Sequence, residues 1–240
     1  MAAAGRLRGW TRMDHECLKR RAAAAAVAEI ADGMVLGLGT GSTAAFMITL
    51  LGERIKAEGL RVRGIPTSER TALAARAAGI PLTDFAQETA IDLAIDGADQ
   101  ITRDGLDLIK GLGGALLREK IVADAARRLV IMADASKLVE TLSGIVPVEV
   151  VPFGWEATSR KIEALGGAPR LRSAADGVPY RSDGGNLILD CDFGTVPDPA
   201  PLDDALRRLV GVVETGFFLG RADLVLLAEE TGVRRLARGE

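Results

Sequence analysis

Apolar, β-rich runs alternate with helical segments along more than half of the chain, and this alternation constrains the fold more than any other feature. The expected strands are 34–38, 61–65, 80–82, 91–95, 128–133 and 222–228, and the expected helices are 14–30, 42–56, 68–79, 113–126 and 136–142. Strands that alternate with helices of about 10–15 residues are typical of a parallel sheet covered on both faces. We therefore predict an α/β fold with a Rossmann-like parallel sheet domain.

After Pro147 the pattern changes to β-α-β-β-α-β. The expected strands are 146–151, 169–172, 186–191 and 212–215, and the expected helices are 155–165 and 201–209. This order matches the split β-α-β pattern of a small ferredoxin-like α+β module. Prolines and glycines flank it, as is usual at a boundary. We expect residues 146–213 to form a small α+β domain inserted in a Rossmann-like catalytic domain of residues 1–145 plus 214–240.

The composition excludes several classes of function. Among 240 residues there is a single histidine, His15, so any Ser-His-Asp or Cys-His site would have to rest on it, and a histidine-ligated metal centre would lack partners. The 33 acidic and 30 basic residues give no positive excess for nucleic acid. Cys17 and Cys191 are far apart, which favours ordinary reduced thiols in a cytoplasm. No signal peptide or membrane segment is predicted, and we expect Met1 to Arg12 to be an N-terminal extension.

A glycine-rich turn, Gly37-Leu38-Gly39-Thr40-Gly41, follows the first predicted strand and precedes a helix. Such a turn offers backbone amides to an anion, and the neighbouring hydroxyls add donors. A dinucleotide site would need glycine at Ser42 and an acid after the second strand, and a P-loop would need a lysine before Ser42. A methyltransferase turn, which would have an acid at Gly37, is the runner-up. A simple phosphate monoester fits the turn best.

Two carboxylates follow the buried run 91–95, at Asp96 and Asp99. Ligands of parallel sheets bind beyond the carboxyl ends of strands, so both are candidates for a site, although aspartates also occur in plain polar turns. A second glycine-rich segment begins at Lys110 and leads into a helix that carries Glu119 about two turns from its start. Glu119 could equally be a solvated surface residue, and the periodicity leaves this open.

Seven motifs, taken in order, resemble ribose-5-phosphate isomerase of the A type. They are Gly39-Thr40-Gly41-Ser42-Thr43, Ile95-Asp96-Gly97-Ala98-Asp99, the segment 110–120, Ala133-Asp134-Ala135-Ser136-Lys137, the segment 147–152, the segment 186–190 and the segment 211–216. The resemblance covers about Glu16 to Val233. It implies an aldose-ketose isomerase that acts on a sugar phosphate without metal or organic cofactor. It also implies a homodimer or homotetramer, with no nucleic-acid or membrane partner.

The resemblance also implies the site residues. Glu119 would move a proton between C2 and C1 through an enediolate, while Asp96, Asp99 and Lys110 would handle the sugar oxygens and the developing charge. The residues expected to bind substrate are Lys19, Gly39, Thr40, Gly41, Ser42, Thr43, Gly97, Ala98, Gly111, Gly113, Gly114 and Lys137. A base beside a carbonyl needs a pKa raised toward neutrality and a cation where negative charge develops, and these residue types meet both needs.

Two positions depart from the family pattern. Gln100 stands where the family usually has glutamate, and Leu112 interrupts a run of glycines. We expect that either could change substrate preference or turnover, since Leu112 does not easily adopt a positive φ. Two other functions compete with the isomerase: a non-catalytic sugar-phosphate sensor, which could dispense with the catalytic acids, and an S-adenosylmethionine-dependent methyltransferase.

Overall fold

The structure, a computed structural model, describes residues 12–239. This part of the chain contains six α-helices: α1 Arg12–Val27, α2 Ser42–Glu58, α3 Glu69–Ala78, α4 Leu116–Ala125, α5 Trp155–Ala164 and α6 Pro199–Arg207. The same residues contain fourteen strands: β1 Val35–Leu38, β2 Arg63–Pro66, β3 Leu93–Gly97, β4 Gln100–Thr102, β5 Leu108–Ile109, β6 Leu129–Asp134, β7 Leu138–Val139, β8 Leu142–Val150, β9 Ala168–Leu171, β10 Leu187–Val196, β11 Val212–Thr215, β12 Phe217–Phe218, β13 Leu224–Glu229 and β14 Gly232–Ala237. Apart from Arg12, which begins α1, the predicted N-terminal extension lies outside the described residues.

The largest sheet has six strands in the order β14-β13-β6-β3-β1-β2. Its strands are parallel except for β14, which forms an antiparallel edge beside β13. The predicted α/β fold with a parallel sheet is confirmed, and the strand expected to rejoin this sheet does so as β13. The sequence did not predict β14, whose residues are polar enough to resemble an exposed tail.

Side chains that alternate along the strands pack into two cores, one on each face of the large sheet. Leu36 and Leu38 of β1 face a core that includes apolar residues of α1, α2 and α3. Val35 faces the opposite core, which includes Val122 of α4 and Phe218 of β12. The sheet is therefore covered on both faces, as predicted, but part of the second cover is a small sheet rather than a helix.

That small sheet has the order β12-β5-β4-β7 and was not predicted. The prediction of a helix from Ser136 to Leu142 is wrong: a 3-10 turn, Ala135–Lys137, leads directly into β7. The Asp134 carboxylate accepts the N–H of Ser136 at 3.0 Å and stabilises this turn. Leu138 then pairs with Ile101 of β4, a long-range contact that overrides the local helical preference.

A third sheet has four antiparallel strands in the order β11-β8-β10-β9. Its elements follow one another along the chain as β8, α5, β9, β10, α6 and β11. They enclose a separate apolar core that includes Val146, Leu189, Ile162 and Leu206. Because β8 begins at Leu142 and β11 ends at Thr215, both expected domain boundaries fall inside strands of this sheet.

One predicted strand and the start of one predicted helix differ from expectation. The expected strand 80–82 is reduced to a single bridge between Leu82 and Gly64. Helix α4 begins at Leu116, so Glu119 lies in its first turn rather than two turns in. Across residues 12–239, no helix has both the length and the apolar character needed to cross a membrane.

Gly37, in the middle of β1, lets α4 pack closely on the sheet. A Cβ added there would lie 2.4 Å from Cγ1 of Val122 and 2.9 Å from Cβ of Ala94. We expect Gly37→Ala to lower the free energy of unfolding by about 1–3 kcal/mol, because the packed neighbours cannot move apart without strain. Urea denaturation measures this difference. The matched control is Gly232→Ala, where a Cβ would meet nothing within 4 Å; equal stability of the two variants would contradict this account.

Candidate active site

The candidate site lies where the direction of the chain across the large sheet reverses. Strand β1 has β2 on one side and β3 on the other, while β3 leads away to β6. Such a switch point opens a crevice at the carboxyl ends of the two central strands. The Gly39 N–H donates to the Ile95 carbonyl at 2.9 Å, so the first glycine-rich turn lies directly beside the end of β3.

A cavity of about 130 Å³ opens at this crevice. Its lining residues are Lys19, Thr40, Gly41, Ser42, Thr43, Gly97, Ala98, Asp99, Lys110, Gly111, Gly113, Glu119 and Lys137. All of them belong to the site predicted from the sequence. The remaining predicted residues, Asp96, Gly39 and Gly114, do not line this cavity. Segments more than a hundred residues apart in sequence therefore meet around one cavity.

Lys110 lies between two buried carboxylates. Its Nζ is 3.0 Å from Oδ2 of Asp96 and 3.3 Å from Oε2 of Glu119, and all three side chains are at most 6% exposed. Nζ also donates to the Gly97 carbonyl at 2.6 Å. The ring of Phe218 lies 5.3 Å from Nζ and closes the apolar side of the cluster.

The two carboxylates have different hydrogen-bond partners. Oδ1 of Asp96 accepts the N–H of Thr40 at 3.1 Å and the N–H of Gly97 at 2.7 Å. Within the described part of the chain, Oε2 of Glu119 is buried without a hydrogen-bond partner. Donors stabilise an ionised carboxylate, so the negative charge is better held at Asp96 than at Glu119.

Burial and charge shift all three pKa values. Burial, together with the charge of Asp96, raises the pKa of Glu119 to about 8. Burial also raises the pKa of Asp96, against the effect of Lys110 and the two backbone donors. For Lys110, burial disfavours the charged form, but the carboxylates of Asp96 and Glu119 outweigh it and raise the pKa. The cluster therefore holds a protonated lysine beside two carboxylates whose pKa values are both raised, and Glu119, with a pKa of about 8, can exchange a proton near neutrality.

Gly39 fits against Asp96 because it has no side chain. A Cβ at this position would lie 2.2 Å from Oδ1 of Asp96. The hydroxyl of Thr40, which the sequence predicts as a ligand donor, is directed elsewhere. Its Oγ1 lies 2.7 Å from Oγ1 of Thr67, 2.8 Å from Oγ of Ser68 and 3.1 Å from Oγ1 of Thr71. Thr40 thus anchors the turn to the start of α3, and the residue also lines the cavity.

The other end of the cavity is suited to an anion. Helix α2 begins there, its N-cap is Gly41 with φ of 118°, and no side chain caps its first amides. Such amides carry partial positive charge and bind phosphate readily. Lys19 donates to Oγ of Ser42 at 2.9 Å, and Lys137 also lines the cavity. Lys19, the Ser42 hydroxyl and the uncapped amides of α2 therefore lie together on the cavity wall, and Lys137 adds a second cation to the same cavity.

The two departures from the family pattern have local explanations. The side-chain amide of Gln100 donates to the Ser143 carbonyl at 2.6 Å and accepts its N–H at 2.9 Å, a pairing that a carboxylate could not make in full. Leu112 is 51% exposed. Among the described residues other than glycine, only Leu106 has a positive φ, so Leu112 needs none. Neither side chain lines the cavity.

Sequence reasoning missed the residues that hold the second glycine-rich segment from outside. Arg172 and Tyr180 reach this segment from the connection between β9 and β10, and Asp190 of β10 fixes Arg172 in place. The sequence carries no motif at these positions, and they follow the segment by about sixty residues or more. The glycine at position 114 is the one hint of a close neighbour, because a side chain there would clash with Tyr180.

No group of three or more His, Cys, Asp or Glu side chains within residues 12–239 is arranged to hold a metal ion. Cys17 is exposed and Cys191 is buried, and both are free, as predicted. Burial raises the pKa of the Cys191 thiol to about 12, so it stays protonated and unreactive at neutral pH.

Comparison with known proteins identifies the family. Residues 63–232 match the family model described as ribose 5-phosphate isomerase A (phosphoriboisomerase A). The ribose-5-phosphate isomerase A of Gloeobacter violaceus is 55% identical over 226 residues, which cover 93% of this chain and 97% of the relative. That of Thermomicrobium roseum is 53% identical over 228 residues, which cover 94% and 96%.

Solved structures agree with the sequence relatives. Ribose 5-phosphate isomerase A from Methanocaldococcus jannaschii superposes with a TM-score of 0.90 at 40% identity, covering 93% of this chain and all of the other. A D-ribose-5-phosphate isomerase in complex with phospho-erythronic acid superposes with a TM-score of 0.89 at 38% identity, covering 93% and 99%. The chain therefore belongs to the ribose 5-phosphate isomerase A family.

Proposed function

We propose that this chain interconverts D-ribose 5-phosphate and D-ribulose 5-phosphate by proton transfer through an enediolate, as in the non-oxidative pentose phosphate pathway. The observation that carries the proposal is the buried pair of Glu119 and Lys110, a base and a cation 3.3 Å apart that open on one cavity. The anion site at the far end of the cavity supports a phosphorylated substrate. The names of the relatives support the same reaction.

Glu119 acts as the base in this proposal. Its carboxylate removes the proton from C2 of the open-chain aldose, the electron pair forms the C1–C2 double bond, and the carbonyl oxygen becomes negative. A proton then moves from the O2 hydroxyl to O1, the C2 carbonyl forms as the C1–C2 double bond opens, and Glu119 returns its proton to C1 to give the ketose. A base with a pKa near the working pH is efficient in both directions, because it can accept and release the proton with little bias.

Lys110 and the aspartates handle the oxygens. The Lys110 ammonium, held charged by Asp96, stabilises the negative oxygen of the enediolate in a site from which burial removes the screening of water. Asp99 lines the cavity beside Gly97 and Ala98, where it can carry a proton between the sugar oxygens and assist ring opening. Asp96 lies behind Lys110 and acts on the substrate through that ammonium.

The phosphate end positions the substrate. The first amides of α2 with Ser42, Thr43, Lys19 and Lys137 would bind the phosphate and distal hydroxyls and so fix the reacting carbons against Glu119. Holding the flexible open-chain sugar in one place removes part of the entropic barrier. No step in this mechanism passes through a metal or an organic cofactor.

The alternative functions find little support. A methyltransferase would need an acid near Gly37 for its cofactor, and a Cβ at that position already meets packed atoms. A non-catalytic sensor would not need Glu119 to be buried with a raised pKa. The relatives at about half identity carry the isomerase name.

We also propose a domain arrangement, an oligomeric state and a cellular location for the chain. The order β11-β8-β10-β9 with α5 and α6 supports a ferredoxin-like domain, residues 142–215, inserted in the Rossmann-like domain. Exposed Phe153 and Val210, which are 95% and 82% exposed, support a homodimer or homotetramer. Two free thiols support a reducing, cytoplasmic location.

Removing the base should stop the reaction and spare binding. We expect Glu119→Gln to lower kcat by about 10²–10⁴-fold, because the amide cannot accept the C2 proton. The affinity for ribose 5-phosphate should stay of the same order, since the phosphate contacts are unchanged. A coupled isomerase assay and calorimetric titration measure the two quantities.

Glu149→Gln is the matched control. Glu149 is also a buried carboxylate with an unpartnered oxygen, but it lies outside the cavity and accepts hydrogen bonds from Ser182 and Asn186 at 2.7 and 2.9 Å. Its variant should keep wild-type turnover per folded molecule. Near-normal turnover in Glu119→Gln would contradict the assignment.

The raised pKa of Glu119 predicts the pH dependence of the free enzyme. The base works only when ionised, so kcat/KM should rise with pH, reach half of its maximum near the pKa of about 8 and level off above it. Initial rates over about pH 6–9.5 test this, and the substrate phosphate is already doubly charged over most of that range. A profile that is flat across the range would show that Glu119 keeps the ordinary pKa of a glutamate and would refute this prediction.

A further inference from the structure

Arg172, just beyond β9, is fixed in one orientation by a two-point ion pair. Its Nε donates to Oδ2 of Asp190 at 2.9 Å, and its Nη2 donates to Oδ1 of the same carboxylate. The Arg172 side chain is only 12% exposed. The Tyr180 ring lies 5.9 Å from the guanidinium carbon and restricts it further. A paired, largely buried guanidinium is a rigid donor.

The free side of this guanidinium points at the wall of the cavity. Nη1 of Arg172 donates to the carbonyls of Gly111 at 3.0 Å and Leu112 at 3.3 Å. The Leu112 N–H, which belongs to the same peptide group as the Gly111 carbonyl, donates to Oδ2 of Asp99 at 3.0 Å. One peptide group is therefore held at both ends, by Arg172 on the outside and by Asp99 on the inside.

We propose that Arg172 is a positioning residue for the reaction, and that it acts by orienting the Gly111–Leu112 peptide toward Asp99. The inference rests on the proposed isomerase function. A charged donor on the carbonyl polarises the peptide and strengthens its N–H as a donor, so Asp99 is held more firmly in place. Asp190 of β10 in turn orients Arg172, which directly follows β9 of the same sheet.

The position of the peptide matters because both reacting groups flank it. Lys110 directly precedes Gly111, and Glu119 lies in the first turn of the helix that follows the segment. Tyr180 packs against the same segment, since a Cβ at Gly114 would lie 2.3 Å from its hydroxyl oxygen. A shift of the segment would move the base and the ammonium relative to the substrate.

Arg172 does not line the cavity, and the phosphate end is built from other segments. Its loss should therefore act on turnover and leave substrate binding largely intact. A purely structural role would instead lower stability and the amount of folded enzyme without this split between kcat and KM.

The test compares Arg172→Ala with Arg181→Ala. Arg181 also donates to a backbone carbonyl, that of Gly185 at 2.9 Å, but away from the cavity. We expect Arg172→Ala to lower kcat by about tenfold or more with KM changed by less than about threefold, because small displacements of reacting groups cost rate steeply. Arg172→Lys, which keeps a charged donor, should recover part of the loss. Arg181→Ala should match the wild type, and turnover of folded Arg172→Ala within about twofold of wild type would overturn the proposal.

Asp190→Asn tests the same positioning role of Arg172 if Arg172→Ala does not fold. It leaves the guanidinium present but removes the charge that orients it, so a smaller fall in kcat at unchanged KM is expected, and an unchanged kcat would overturn the proposal.

Hydrogen exchange separates this inference from the proposed function. The Leu112 amide should exchange at least about tenfold faster in Arg172→Ala than in wild type and Arg181→Ala, because the peptide loses its outer anchor. Equal exchange would overturn the inference even in an active isomerase. A wild-type chain without isomerase activity would contradict the proposed function, and the exchange result would still decide whether Arg172 holds this peptide.

Discussion

The site depends on one imbalance of charge: two carboxylates and one ammonium are buried together where water cannot screen them. A single positive charge cannot stabilise two negative ones in such a place, so one carboxylate must hold a proton near neutrality. The backbone decides which one. Asp96 receives the N–H groups of Thr40 and Gly97, whereas among the described residues Oε2 of Glu119 has the ion-pair contact with Lys110 at 3.3 Å and no hydrogen bond. The fold thereby makes Glu119 the group that exchanges its proton.

Several features of the fold bring these three charged groups together. The missing side chain at Gly39 gives Asp96 its place, and the missing side chain at Gly37 lets the helix with Glu119 approach the sheet. The small sheet β12-β5-β4-β7 brings Lys110 between them, with Phe218 against its ammonium. Glu149 is also buried with one unpartnered oxygen, but its other oxygen is held by two side-chain donors, Ser182 and Asn186, and it lies outside the cavity.

The sequence predicted the parallel sheet from the alternation of strands and helices, and the glycine-rich turns and Asp99 from their places at strand ends. Glu119, Lys19 and Lys137, which also line the cavity, were expected only from the resemblance to the family, because nothing in the local pattern shows which way these side chains point. It did not predict β4, β5, β7 and β12, since strands of two or three residues form only through pairing with distant partners. It also assigned the Thr40 hydroxyl to the ligand, whereas three hydroxyls from the next strand end and helix hold it. Arg172 was missed because its role depends on a contact between two sheets.

The central claim is that Glu119 carries a proton at neutral pH in the free enzyme. Infrared difference spectra between wild type and Glu119→Gln, recorded as a function of pH, measure it directly through the carbonyl stretch of a protonated carboxyl group. We expect a band from the protonated Glu119 carboxyl group at neutral pH, which disappears with a midpoint near pH 8 and is replaced by carboxylate bands. A Glu119 carboxyl that is already ionised across the whole range from weakly acidic to alkaline pH would contradict it.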